Sequence, residues 1–141
     1  MSYCTVADIR AVMEEAELIQ LSDDIHAGVA DSEVIDRAIE DAAAVIDAHC
    51  QSRYTVPLSP VPAMIRQAAA AIAAYKLYVR RSMEVPGSRA EEYKAMMRFL
   101  EKVAEGKISL GAAGTIPSGG DAVEMESGGR VFGRDDSTGY I

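Results

Sequence analysis

Apolar residues recur along the first 110 positions at spacings of three and four, the signature of helices with one buried face. The first such stripe is Ile9, Val12, Met13 and Ala16. Thr5 precedes it, with Asp8 three residues on, supplying a capping hydroxyl and an acid that suits the positive end of a helix. Leu18, Ile19 and Leu21 carry apolar character into a loop rich in Asp and Gly, from Ser22 to Ala30. Asp31 or Ser32 then caps a second helix running to about Arg53. Its inward residues are Ile35, Ile39, Ala42, Ile46 and His49, while Glu33, Asp36, Glu40 and Asp47 lie mainly on the other side. Arg37 is placed to pair with Asp41 one turn later.

Pro57, Pro60 and Pro62 break the chain, and Pro62 suits the first turn of a third helix from Met64 to about Arg81. Its middle, Ala68 to Tyr75, is apolar nearly all round, so this helix should be central, with alanines letting its partners approach closely. After Pro86-Gly87, Ser88 and Glu91 have the spacing of a capping box. The stripe Tyr93, Met96, Met97, Leu100 and Val103 follows, and Gly106 is placed to stop that helix in a left-handed conformation. Residues 1–110 therefore predict an all-α domain of four helices.

Residues 111–141 are different, holding 8 of the 11 glycines and no helical stripe. Val123 to Glu126 and Arg130 to Phe132 alternate apolar and polar around Gly128-Gly129, the pattern of a hairpin. An isolated two-stranded hairpin is marginal in water. This glycine-rich arm is accordingly expected to pack on a neighbouring chain, through Val123, Met125, Arg130, Val131, Phe132 and Arg134.

Composition narrows the class further. A chain of 141 residues, 49% apolar and 26% charged, is one ordinary globular domain with an extension. The longest apolar run, Ala68 to Tyr75, is far short of a membrane span, and the N-terminal residues lack the pattern of a secretory signal. Two cysteines, Cys4 and Cys50, fit a reducing cytoplasm better than a disulfide framework. The net charge of −8 argues against a general nucleic-acid binder. That charge is segregated: residues 1–50 carry −10, residues 51–110 carry +5 and residues 111–141 carry −3. Such blocks can neutralise one another inside one fold, or they can draw one subunit to the next, head to tail.

No catalytic set emerges. His49 and Cys50 are adjacent, so about 100° apart on a helix, and nothing supplies the third group an activated nucleophile needs. Cys4, His26, His49 and Cys50 lack the paired spacings of a zinc site. The loop from Asp23 has Gly28 where a calcium-binding loop needs glycine, yet Ile25, Ala27 and Val34 stand where oxygen ligands belong. Asp23 and Asp24 then read as a solvated loop. Gly106-Lys107 lacks the earlier glycine of a phosphate-binding loop. The basic residues Arg80, Arg81, Arg89, Lys94, Arg98 and Lys102 lie on or between long helices with strong apolar stripes. That is the wrong setting for a short DNA-recognition helix, and Arg80 and Arg81 fit a salt-bridged surface or a subunit contact.

Several stretches carry a family likeness. They are Tyr3-Cys4-Thr5 with Asp8-Ile9, Leu18 to Asp23, Ile35 to Ile39, Arg53-Tyr54 with Pro57-Leu58, Ala73 to Arg81, Gly106 to Leu110, and Arg130 to Arg134. Together they resemble the Mu-like head–tail connector, or neck, proteins of tailed phages and prophages. The likeness covers nearly the whole chain, and none of its motifs is a catalytic signature. What the resemblance implies is a non-enzymatic, cofactor-free helical adaptor in the virion neck, met in the host cytoplasm during assembly. It would form a ring of about a dozen copies beneath the portal protein, joined below to a further neck or tail-completion protein. DNA would pass through the ring without specific binding, and no membrane is involved. The acidic face Glu33, Asp36, Glu40 and Asp47 would then suit the channel lining. The alternative is a small helical accessory protein of DNA packaging or regulation.

Overall fold

Five helices occupy residues 2–111, the part of the chain that the computed structural model describes. They are α1 (Val6–Val12), α2 (Glu15–Ser22), α3 (Ser32–Cys50), α4 (Ala63–Arg80) and α5 (Gly87–Ala104). The all-α class holds for these residues. The expected hairpin, with Val123, Met125, Arg130, Val131, Phe132 and Arg134, lies outside the described residues.

The extra helix comes from the segment expected to form one helix and then a loop. Thr5 and Asp8 do make a reciprocal capping box: the Asp8 amide donates to the Thr5 hydroxyl at 3.3 Å and the Thr5 amide to the Asp8 carboxylate at 2.9 Å. At Met13, however, the backbone is extended, with φ −138 and ψ 133. A second helix then starts at Glu15. The reason is angular. At about 100° per residue, Leu18 would stand opposite Ile9 on one straight helix. The break lets Ile9, Met13, Leu18 and Leu21 all reach the core, each at most 3% exposed. It leaves Val12, expected on the inward stripe, 48% exposed.

On α3, Asp31 takes the capping place, accepting the Glu33 amide at 2.9 Å. Ile35, Ile39, Ala42 and Ile46 are buried as the spacing predicts. The helix stops at Cys50 rather than Arg53, and Cys50, not His49, completes the inward stripe. His49 sits half-buried at the stripe's edge, its Nδ1 donating to the Val45 carbonyl at 2.8 Å. Arg37 and Asp41 form no ion pair among the described residues.

The central helix is the one expected. All of Ala68 to Ala74 are buried, and α4 packs against α1, α2, α3 and α5. It begins at Ala63, with Pro62 as the residue flanking its start rather than the first in it. Below it, Tyr3 ties the N-terminal segment to the loop between α3 and α4. Its buried hydroxyl donates to Asp47 and accepts the Leu58 amide at 2.8 Å.

α5 starts one residue before Ser88, with Pro86 at its boundary, so Ser88 falls inside the first turn and the anticipated capping box does not form. Its face is shallower than the stripe suggests: Leu100 and Val103 are buried, while Tyr93, Met96 and Met97 are half-buried. The Tyr93 ring stacks on Tyr75 of α4, centroids 3.8 Å apart and 8° from parallel. The stop matches expectation. Gly106 has φ +82, its amide donates to Val103 at 3.1 Å, and the Lys107 amide donates to Lys102 at 2.8 Å. This is a Schellman closure of the last orphan carbonyls.

Two substitutions test these joints. Gly106→Ala should destabilise by about 1–2 kcal/mol, since a side chain there must adopt the left-handed backbone. A Cβ at Gly106 also meets the Arg53 guanidinium at 2.7 Å. Tyr3→Phe should cost about 1–3 kcal/mol, because the Leu58 amide is left buried without an acceptor. Urea denaturation with an unchanged slope is the check for both.

Candidate functional site

The charged residues of the two halves meet at one end of the molecule. Glu17, in the first turn of α2, accepts the Tyr78 hydroxyl of α4 and a two-pronged contact from Arg89 of α5, at 3.2 and 3.1 Å. Arg89 also donates to the Val12 carbonyl at 3.1 Å, closing the break between α1 and α2. The Arg89 and Glu17 side chains are only 17% and 27% exposed, so solvent screens this pair weakly.

A second clamp holds the loop after α2. Arg80 and Arg81 both reach the Asp24 carboxylate, at 2.6 and 2.9 Å. They also donate to the Leu21 and Gln20 carbonyls, at 3.0 and 3.2 Å, partnering the last turn of α2. Whatever else they meet, these guanidiniums are already engaged inside the chain. Hydrogen bonding from Arg80 holds the Asp24 carboxyl below its ordinary range.

Asp23 is not the solvated residue expected. It is 7% exposed, and its two oxygens accept the Ala27 and Gly28 amides at 2.8 and 2.7 Å. Those backbone donors hold its carboxyl below the ordinary range. Ser22, fully buried, donates to the Leu18 carbonyl at 2.8 Å and accepts the Asp31 amide at 3.0 Å. The loop is therefore tied at both its entry and its exit. Its left-handed residues are His26 at φ 58 and Gly28 at φ 84.

The four acids expected on one face of α3 separate. Glu33, Asp36 and Glu40 are exposed and form no ion pair among the described residues. Asp47 is half-buried and accepts the Tyr3 hydroxyl, so it belongs to the packing of the N-terminal segment. Burial, together with that bond, pushes the Tyr3 hydroxyl well above its ordinary pKa. Asp47 shares the helical angle of the other three but lies about two turns past Glu40, near the end of α3, where Tyr3 covers it.

Two recesses flank these features. One, about 550 Å³, lies between the N-terminal segment and α3, with Asp36 and Glu40 on its wall. The other, about 310 Å³, runs between α1, α4 and α5, lined by Ala11, Val12, Ala70 and Ala71 with Asp8, Arg66 and Glu92 at its polar positions. Cys4 and Cys50 are buried, which pushes both thiols up to about 11 and keeps them protonated at neutral pH. Among the described residues no group of three or more His, Cys, Asp or Glu converges as metal ligands, and no helix is long and apolar enough to cross a membrane.

Sequence reasoning missed Glu17, whose partners lie more than 60 positions away. It also missed Ile25 and Val29, which stand 80% and 62% exposed on the clamped loop. Nothing periodic marks an apolar residue in a loop as solvent-facing.

The polar clusters at Glu17 and Asp24 hold the helices of the domain together. Comparison with known proteins places it. The family described as Bacteriophage Mu, Gp36 matches residues 3–127. The chain is 40% identical over 114 residues to the Mu-like prophage FluMu protein gp36 of Haemophilus influenzae, covering 79% of this chain and 78% of that one. It is 31% identical over 138 residues to gene product J of Escherichia phage Mu, covering 95% and 96%. The chain belongs to the Mu Gp36 family, and so among the structural and morphogenesis proteins of Mu-like phages.

Removing one member of the Glu17 cluster should be costly. Glu17→Ala leaves Arg89 and Tyr78 without their shared acceptor and should destabilise by about 2–3 kcal/mol, read by thermal or urea unfolding. The Asp23 and Asp24 carboxyls titrate below their ordinary pKa in the folded chain. The stability they contribute is thus full above about pH 4 and lost as pH falls through that range. Hydrogen exchange at the Ala27 and Gly28 amides should lose protection on acidification, and Asp23→Asn should flatten that dependence.

Proposed function

We propose that this protein is the ring-forming adaptor of the phage neck, joining head to tail beneath the portal protein and above a further neck or tail-completion protein. The observation that carries the proposal is the edge of α3. Glu17, Asp23, Asp24 and Asp47 are all engaged within the chain, yet Glu33, Asp36 and Glu40 stand exposed and unpaired among the described residues. Three carboxylates on one helix face repel a polyanion. Lining a channel with them keeps passing DNA from adhering to the wall. Family membership supports the same reading.

In this reading the arm of residues 111–141 reaches the portal or an adjacent subunit, and the helical domain supplies the body of the ring. The reading makes the protein a non-enzymatic component of the virion. Quantitative mass spectrometry of purified particles, normalised to a known structural protein, is the test. About a dozen copies per particle are expected for a ring that matches its neighbours along one axis. Absence from intact particles would overturn the neck assignment and favour an accessory protein of packaging or regulation.

A further inference from the structure

We infer that residues 14–30, α2 with the loop that follows it, are a hinged latch that opens and recloses as one unit while the bundle of α3, α4 and α5 stays folded. The inference concerns the folded chain itself and does not rest on the neck reading.

The backbone marks both hinges. Met13 and Glu14 are extended at the entry, with φ −138 and −69, and Asp31 is extended at the exit, with φ −88 and ψ 109. Between the hinges the backbone bonds to itself: the Leu18 amide donates to the Glu14 carbonyl and the Asp23 amide to the Ile19 carbonyl, at 3.0 and 2.8 Å. Among the described residues no backbone–backbone hydrogen bond joins residues 14–30 to the rest of the chain. The loop is welded to its helix from inside the stretch. Asp23 holds the Ala27 and Gly28 amides, and Ser22 ties the Leu18 carbonyl to the Asp31 amide. Helix and loop must therefore move together.

What fastens this stretch is mostly polar. α2 buries two leucines, Leu18 and Leu21, beside Ser22, whereas α3 buries seven residues and α4 ten. Ile25 and Val29 add no apolar anchorage, since both are exposed. Tyr78 and Arg89 bind Glu17 instead, while Arg80 and Arg81 bind Asp24 and the Leu21 and Gln20 carbonyls. All four donors come from the corner where α4 ends and α5 begins. Elsewhere among the described residues, side-chain hydrogen bonds between distant positions are confined to Tyr3 and Tyr54.

The kind of bond decides how the stretch comes away. Water replaces most of a polar contact when it breaks, but it does not replace buried apolar area. A segment held by arginines over two leucines therefore opens at a lower free energy than the helices packed on the alanines of α4. Opening bares Leu18 and Leu21 and frees Tyr78, Arg80, Arg81 and Arg89 at one corner, without parting α4 from α3 and α5.

Hydrogen exchange of the full chain, read amide by amide by NMR, tests the latch. The amides of Leu18, Asp23, Ala27 and Gly28 are expected to share one protection factor, about 100-fold below those of Ile39 in α3 and Ala73 in α4. Ile72→Val removes one buried methylene from the core, so it should speed Ile39 and Ala73 about fivefold and leave the four latch amides unchanged. Arg89 touches α2 and its entry but not the loop. Arg89→Gln should nonetheless speed Ala27 and Gly28 by the same factor as Leu18 and Asp23, about tenfold. Equal protection of latch and core amides, or latch amides that quicken with Ile72→Val, would mean that the stretch opens only with the whole domain and would overturn the inference. So would loop amides indifferent to Arg89→Gln, because helix and loop would then open separately.

Discussion

Four helices can crowd against α4 only because its buried stretch, Ala68 to Ala74, is alanine at every position but Ile72. Backbones approach closely where side chains are small, and the bulk that fills the core then comes from the neighbours: Ile9, Leu18, Leu21, Ile35, Ile46 and Leu100 are all at most 1% exposed. That constraint propagates outward. Along Ala68 to Ala74 the helix has no free face, so its neighbours find their polar partners at the ends and rims of the bundle. The Glu17 cluster, the Asp24 clamp and the Tyr3 bridge all sit at such places. Enlarging an alanine in the middle of α4 would push neighbours apart, and overpacking a close-packed interior is itself destabilising.

Part of the segregated charge is neutralised inside the fold. Ion pairs from Arg80, Arg81 and Arg89 to Asp24 and Glu17 join the basic middle of the chain to its acidic start. These bonds lock α2 and its loop to α4 and α5. The acids Glu33, Asp36 and Glu40 are left over, and they are gathered on one edge of α3. Glu33, Asp36 and Glu40 are thus an exposed, unpaired acidic group on one helix face. The proposed neck role would use that face for repulsion toward the DNA.

Much of this was legible in the sequence where local chemistry decides the outcome. The α3 stripe as far as Ile46, the all-round apolar middle of α4, the Thr5 cap with Asp8 in the first turn, the Asp31 cap and the Gly106 stop each depend on residues a few positions apart, and each formed. Failures came where distant packing decides. The break at Met13 exists because Leu18 and Ile9 must both be buried, which no local pattern announces. Ser88 lost its cap to a helix that begins one residue earlier at Gly87. The acidic face was read from helical angle, which placed Glu33, Asp36 and Glu40 correctly on the surface but could not foresee that Tyr3 would claim Asp47. The loop from Asp23 looked like a solvated turn because Asp and Gly dominate it. Its rigidity comes from buried acceptors and from arginines nearly sixty positions away.

A neck adaptor makes head and tail one particle, and electron microscopy of a lysate from phage lacking this chain tests that proposed role most directly. Assembled heads and complete tails lying separate are expected, with joining restored when the full-length protein is supplied. Joined, intact particles in its absence would contradict it.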